Sequence, residues 1–323
     1  MAPLDCTSQV VAPIAPKIAP PPVMGRVEWS MLAVLALIWG SAFLFIKVAV
    51  LSFDPLTYVW LRLVIAAAAL ALFLRIAGHS LNFPKKVWAA VGLLALLNNV
   101  VPFSLFGWGS QHIASGLAAI LQATTPIFGV LVAHIATSDE RLTRAKLIGV
   151  SVGFGGVATM IGPQLIADGG SHLLAQLACL FASFLYALAG IFARRFKAMG
   201  VNPMQLASAQ FIAGAVMMAP FALAFGQPVS SLPASGEAWF AVIALSLVCS
   251  AFAYVIFFRL IERAGATNSL LVTLLVPPVA IIVGSLVLGE QLGANQLFGL
   301  LLIGAGLLVI DGRLTKRLKL HRA

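Results

Sequence analysis

Two runs decide how this chain is read: WSMLAVLALIWGSAFLFIKVAV at residues 29–50 and PLTYVWLRLVIAAAALALFLRIA at residues 55–77, joined by LSFD. A helix needs about 20 apolar residues to cross the hydrocarbon core of a bilayer, and each run is long enough. The linker is too short for anything but a reversal, so the two helices run antiparallel. The first run holds Lys47 and the second holds Arg62, both set in apolar sequence.

Outward from this pair the pattern repeats to the end of the chain. Further apolar runs fall at 87–110, 114–136, 145–162, 173–193, 203–225, 238–258, 266–288 and 294–311. The expectation is an all-α integral membrane protein with ten transmembrane helices. Composition agrees: of 323 residues 61% are hydrophobic and 9% charged, against roughly 25% charged in a soluble domain, and mean hydropathy is +1.04. A net charge of +10 would suggest nucleic acid in a soluble protein. Here the basic residues gather at span ends, which is how membrane proteins anchor their cytoplasmic side, and nucleic-acid binding is not expected. Residues 1–28, rich in Pro and Ala, are read as a disordered cytoplasmic tail, and 312–323 as a basic cytoplasmic tail.

All of the twenty Lys and Arg except Lys47 and Arg62 fall at span ends on one predicted side. Arg75, Lys85 and Lys86 follow span two; Arg141, Arg144 and Lys146 follow span four; Arg194, Arg195 and Lys197 follow span six; Arg259 and Arg263 follow span eight. The intervening linkers carry Asp54, His112, Asp168, Glu237 and Glu290 but no Lys or Arg. By the positive-inside rule both termini are cytoplasmic, in a multi-pass protein of the plasma (cell inner) membrane. Cys6, Cys179 and Cys249 form no disulfide or metal-ligand pattern, and no metal or cofactor is expected.

The two halves resemble each other. Glu140-Arg141-Leu142 with Leu147-Ile148-Gly149 returns as Glu290-Gln291-Leu292 with Leu297-Phe298-Gly299. Gly156 corresponds to Gly306, Pro55 to Pro203, Arg62 to Gln210 and Trp88 to Trp239. Five spans per copy is an odd number, so the second copy enters the membrane upside down. The expected domains are a first repeat at 29–162 and a second at 171–311. Inverted repeats in transporters place the solute site at their interface near the bilayer midplane. The glycines of 149–156 follow no strand, which excludes a nucleotide-binding loop, and they suit close helix approach.

The chain resembles the drug/metabolite transporter superfamily in its ten-span form with two EamA-type repeats. The resemblance rests on Trp39-Gly40-Ser41 with Phe43 and Lys47, on Arg62, and on Pro126 leading to Glu140 and Pro277 leading to Glu290. It covers nearly the whole chain and departs from the pattern at Asn98-Asn99, a more polar pair than expected. It implies a transporter, often an exporter, of small metabolites, amino acids or drugs; a monomer or homodimer is expected. The unpaired positive charge in the spans adds an amino acid or carboxylate as the expected kind of solute. The rival classes are an intramembrane enzyme acting on a lipid or polyprenyl substrate, for which no nucleophile, metal cluster or acid/base pair is apparent, and a non-transporting assembly subunit.

An intramembrane cation is a site candidate because charge at the bilayer centre costs about 2.5–3.5 kcal/mol. Arg62 falls about 10 Å inside span two at 1.5 Å per residue, and either hydrogen-bonds another helix or meets the solute. Lys47 lies close to the outer interface, as a snorkelling anchor or an outer-gate cation. Trp39, Asn98, Asn99, Gln122, Tyr186, Gln210, Tyr254 and Asn268 either join helices or line a wet cavity. Pro126 and Pro277 fall mid-span, where proline kinks a helix and could hinge a gate. Glu140 and Glu290 are read as carboxylates at helix starts, where the dipole favours them.

Overall fold

The structure, a computed structural model, describes residues 24–136, 142–167, 172–227, 231, 235–269 and 271–311. Expectations about Glu140, Asp168, most of the N-terminal tail and the C-terminal tail lie outside these residues. Among them, eight helices are long and apolar enough to cross a membrane: α1 (Arg26–Val50), α2 (Pro55–Ile76), α3 (Lys85–His112), α4 (Ser115–Ala136), α5 (Arg144–Ile161), α6 (Leu173–Ala198), α7 (Pro203–Phe225) and α8 (Gly236–Ala264). Two shorter apolar helices come next, α9 (Val272–Leu288) and α10 (Ala294–Ile310). This is an all-α, multi-pass membrane protein.

Local chemistry sets the helix starts. Asp54 accepts from the N–H groups of Leu56 (2.8 Å) and Thr57 (3.4 Å), with Pro55 directly after it. Asn202 accepts from the N–H of Met204 (2.9 Å), and Gln205 takes the N–H of Asn202 (3.2 Å), with Pro203 between them. A polar cap satisfies N–H groups that have no partner in the helix, and proline at the first position loses nothing by lacking one. Glu28 holds the N–H of Gly25 (3.0 Å) and receives Arg263 at 2.7 Å, tying the start of α1 to the end of α8.

Several boundaries differ from the sequence expectation. Residues 26–28 belong to α1 rather than to a tail. Arg259 and Arg263, expected in a linker, lie in the last turns of α8, where cations complement the helix dipole. The ninth helix begins at Val272 rather than 266. Gly265, with φ 79°, ends α8 in a conformation that favours glycine, and Ala266–Ser269 forms a separate short turn of helix.

Two long helices are irregular at corresponding places. Leu96–Val100 in α3 and Leu247–Phe252 in α8 each form a π-turn, which adds a residue to the turn. In α4 the helix breaks after Gln122 and restarts at Thr125.

Packing obeys one scheme. α2 lies along α7, and α5 lies along α10. α1 packs against α9 and α8, while α6 packs against α4 and α3. Exchanging α1–α5 with α6–α10 leaves this set of pairs unchanged. α5 and α10 meet backbone to backbone. A Cβ on Gly149 would meet the Gly306 carbonyl oxygen at 2.6 Å, and one on Gly156 would meet that of Gly299 at 2.7 Å. Since Gly149 corresponds to Gly299 and Gly156 to Gly306, exchanging the halves turns each contact into the other. The outer surface carries Leu72, Val216, Phe221, Leu286 and Leu301 exposed, as suits contact with lipid.

Candidate functional site

The site begins with Arg62 on α2. Its side chain is buried, Nε donates to Ser250 Oγ at 3.2 Å, and the guanidinium carbon sits 3.9 Å from the centroid of the Phe103 ring. Ser250 lies in the π-turn of α8 and itself donates to the Leu245 carbonyl at 2.8 Å. No carboxylate pairs with Arg62 among the described residues. A cation–π contact contributes about 0.5–2 kcal/mol and one hydrogen bond to a charged group about 1.5–3. Neither neutralises the charge.

Arg62 faces a central cavity of about 330 Å³, at the lower end of the ~300–1,000 Å³ range for small-molecule sites. α1 contributes Trp39, Ala42, Phe43 and Ile46; α6 contributes Tyr186. Asn98, Phe103 and Phe106 come from α3, and Cys249, Tyr254 and Phe257 from α8. The break in α4 presents Gln122 and Thr125, and α9 presents Thr273 and Val276. Much of this wall is built from corresponding positions of the two halves: Asn98 with Cys249, Phe103 with Tyr254, Phe106 with Phe257, Gln122 with Thr273, Thr125 with Val276. α2 supplies Arg62, whereas among the described residues its counterpart α7 supplies nothing to the wall.

The aromatic side chains brace each other. Trp39 and Phe257 are 5.2 Å apart by centroid, Phe43 and Phe106 are 6.0 Å apart edge-on, and Phe106 stacks on Tyr186 at 6.0 Å. The Trp39 indole N–H donates to the Cys249 carbonyl at 3.2 Å, inside the π-turn of α8. Asn98 Nδ2 donates to Gln210 Oε1 (3.0 Å) and to the Tyr254 hydroxyl (3.4 Å), linking α3, α7 and α8.

Of the residues singled out in the sequence, Trp39, Arg62, Asn98, Gln122, Tyr186 and Tyr254 come together here. Gln210 is buried behind the wall as the acceptor for Asn98. Asn99, one step along α3, is fully buried and does not line the cavity. Asn268 donates to the Ala264 carbonyl (2.8 Å) at the end of α8, off the wall. Lys47 is not on the wall either. Its Nζ donates to the Ser110 (2.7 Å) and Ile113 (3.0 Å) carbonyls at the C-terminus of α3, where a helix welcomes a cation.

Of the prolines, Pro126 differs from expectation and Pro277 does not. Pro126 is not a mid-helix kink: it occupies the first turn after the break in α4, where proline is well tolerated. Pro277 and Pro278 lie inside α9, beside the lining residues Thr273 and Val276. Glu290 is a cap, though not of its own helix. It accepts from Ser115 N–H (2.9 Å), Ser115 Oγ (2.6 Å) and Gly116 N–H (3.5 Å) at the start of α4. Gly289, left-handed at φ 65°, turns the chain there.

Sequence reasoning did not place Phe43, Phe103, Phe106, Cys249, Ser250 and Phe257 at the site. The π-turns explain most of these. Cys249 and Ser250 lie within one, and Phe103, Phe106 and Phe257 lie beyond one. An extra residue per turn shifts the helical phase: a regular count leaves Phe103 about 140° and Phe106 about 80° from Asn98, and one residue taken up by the π-turn brings them to about 40° and about 20°.

The profile of the EamA-like transporter family matches residues 28–162 and again residues 173–311. The chain is 27% identical over 274 residues to the "Uncharacterized transporter YoaV" of Bacillus subtilis, covering 84% of this chain and 92% of that one. It is 28% identical over 288 residues to the "Uncharacterized inner membrane transporter YedA" of Escherichia coli K12, covering 86% and 89%. It is 27% identical over 295 residues to a "Probable terminal-alkyne amino-acid exporter" of Streptantibioticus cattleyicolor, covering 90% and 95%. A protein of known crystal structure shares the fold with a TM-score of 0.64 at 20% identity, covering 90% of this chain and 98% of its own. The family and these relatives denote transporters, not enzymes. With both halves of the helical bundle matched, this chain belongs to the EamA-like transporter family.

Proposed function

We propose that this protein carries a small organic solute across the cell's inner membrane by alternating access, with Arg62 as the anchor for the solute's negative group. The buried guanidinium in the cavity wall, without a carboxylate partner among the described residues, carries this reading. A carboxylate about 4 Å away gains roughly 4 kcal/mol at an effective dielectric of 20, a benefit available only when the solute is bound. The proposed wall is Arg62 with Trp39, Asn98, Gln122, Tyr186 and Tyr254. Gln210 positions Asn98, and Lys47 closes one end of the bundle.

The proposed architecture is ten spans in two inverted five-helix repeats, 29–162 and 171–311. The exchange symmetry of the packing, the paired π-turns and the double family match support it. Alternating access is then a rocking of one repeat against the other around a fixed site. Pro277 and the break before Pro126 stand at corresponding places beside the cavity, and we assign the gating bend to them. The distribution of basic residues supports a cytoplasmic position for both termini. Export is the direction that the name of the Streptantibioticus relative suggests.

The test is solute flux in liposomes reconstituted with purified protein, using a panel of metabolites. Wild-type protein is expected to move at least one member, and Arg62→Gln to move it at least tenfold more slowly while remaining folded. A folded wild type that moves nothing would sink the transport reading.

A further inference from the structure

The charge balance of the cavity constrains the solute beyond the statement that it is small and organic. Arg62 is the one lining side chain with a formal charge among the described residues; no Asp or Glu lines the cavity there. Nε of Arg62 is engaged by Ser250, and its two terminal nitrogens make no hydrogen bond among the described residues. A guanidinium with an open fork takes a carboxylate through two parallel hydrogen bonds. The other polar lining groups, the hydroxyls of Tyr186 and Tyr254 among them, are neutral. Most of the remaining wall is aromatic.

A solute with one carboxylate makes a neutral pair with Arg62 and buries its body against rings. A zwitterionic amino acid brings an ammonium on the carbon next to its carboxylate, hence close to the guanidinium. No carboxylate is there to receive it. Of the aromatic faces in the wall, that of Phe103 is already covered by Arg62 itself at 3.9 Å, and the others are neutral rings. The ammonium would lose its water without a charged partner, and buried unpaired charge is costly. A phosphate monoester, with close to two negative charges, would be only half neutralised by a single Arg.

Resting on the transport reading, we infer that the site selects a monocarboxylate with an aromatic or bulky apolar body and discriminates against zwitterionic amino acids. Three compounds isolate the charges on one phenylethyl body: 3-phenylpropionate has the carboxylate, L-phenylalanine has carboxylate and ammonium, and phenethylamine has the ammonium alone. Binding to purified wild-type protein is measured by quenching of intrinsic tryptophan fluorescence at pH 7.5, a value chosen to keep all three in these forms. Trans-stimulated flux in liposomes is measured alongside.

The expected order is 3-phenylpropionate at least tenfold tighter than L-phenylalanine, with phenethylamine weaker still. Arg62→Gln removes the preference and Arg62→Lys retains part of it. L-phenylalanine binding as tightly as 3-phenylpropionate overturns the inference, as does a preference that survives Arg62→Gln. If Arg62→Gln does not fold, the wild-type order alone decides. Flux of another solute without preference for 3-phenylpropionate overturns this inference and leaves the transport reading standing. Absence of both binding and flux across the panel overturns both.

Discussion

At the scale of single residues, two cations in consecutive helices have different surroundings, and their hydrogen bonds separate them. Lys47 is occupied by two main-chain carbonyls at the C-terminus of α3; Arg62 has one side-chain partner and a ring. Lys47→Met is therefore expected to lower thermal stability, by about 1.5–3 kcal/mol for each of the two charge-assisted bonds, and to leave solute affinity within about threefold of wild type once protein is folded. A large affinity loss with unchanged melting would return Lys47 to the site. In the proposed site Ser250 is a positioning residue, since its one hydrogen bond with that site, among the described residues, comes from Arg62. Ser250→Ala is expected to weaken solute binding several-fold with little change in melting, and Ser250→Thr to restore it. Equal binding by wild type and Ser250→Ala would show that Phe103 alone orients the guanidinium.

At the scale of elements, the π-turns decide which faces of α3 and α8 reach the cavity. Each adds a residue and rotates the part of the helix beyond it. That rotation brings Phe103 and Phe106, and Tyr254 and Phe257, onto the same wall as Asn98 and Cys249. The π-turn of α8 is held by the Trp39 indole N–H on the Cys249 carbonyl. Trp39→Phe keeps the ring and loses that bond. The expected result is a cost of about 1 kcal/mol in stability and faster amide exchange confined to residues near 247–252, read by hydrogen exchange in detergent. Uniform exchange along α8 in the variant would mean that the turn does not depend on α1.

At the scale of the whole molecule, the two halves are joined at α5 and α10 through close backbone approach as well as through side chains such as Asn295, which donates to the Met160 carbonyl. Gly149 faces Gly306 and Gly156 faces Gly299, with no room for a Cβ at either crossing. Gly156→Leu is expected to destabilise the folded protein by more than the ~1–3 kcal/mol typical of overpacking, because backbone and not a flexible side chain lies opposite. Melting of the purified variant measures it, and a wild-type melting temperature would contradict the close crossing. Orientation has its own test. With native cysteines replaced, a cysteine at 112 is expected to react with an impermeant maleimide in intact cells, and one at 195 only after permeabilisation. The reverse pattern would invert the proposed topology.

The membrane bundle was legible in the sequence because it depends on local hydropathy. The recurrence of Gly149 at Gly299 and of Pro55 at Pro203 was legible for a similar reason: each marks a local backbone need that survives as a residue type. Trp39, Asn98, Gln122, Tyr186 and Tyr254 share one cavity with Arg62, since polar and aromatic side chains set in apolar helices have few other places to go. Which polar group meets which was not legible, because it depends on how the helices pack. Arg62 and Ser250 are held together from helices far apart in sequence, Lys47 is absorbed by the end of α3, and Glu290 caps a helix of the other half. Such pairings depend on helix rotation, and the residues added in the π-turns change that rotation by more than hydropathy can register. Hydropathy alone dictates a membrane bundle with two cations set in apolar helices. Packing determined that Lys47 is spent on a helix end while Arg62 faces a cavity, because only the rotation of packed helices decides whether a buried charge meets carbonyls or open space.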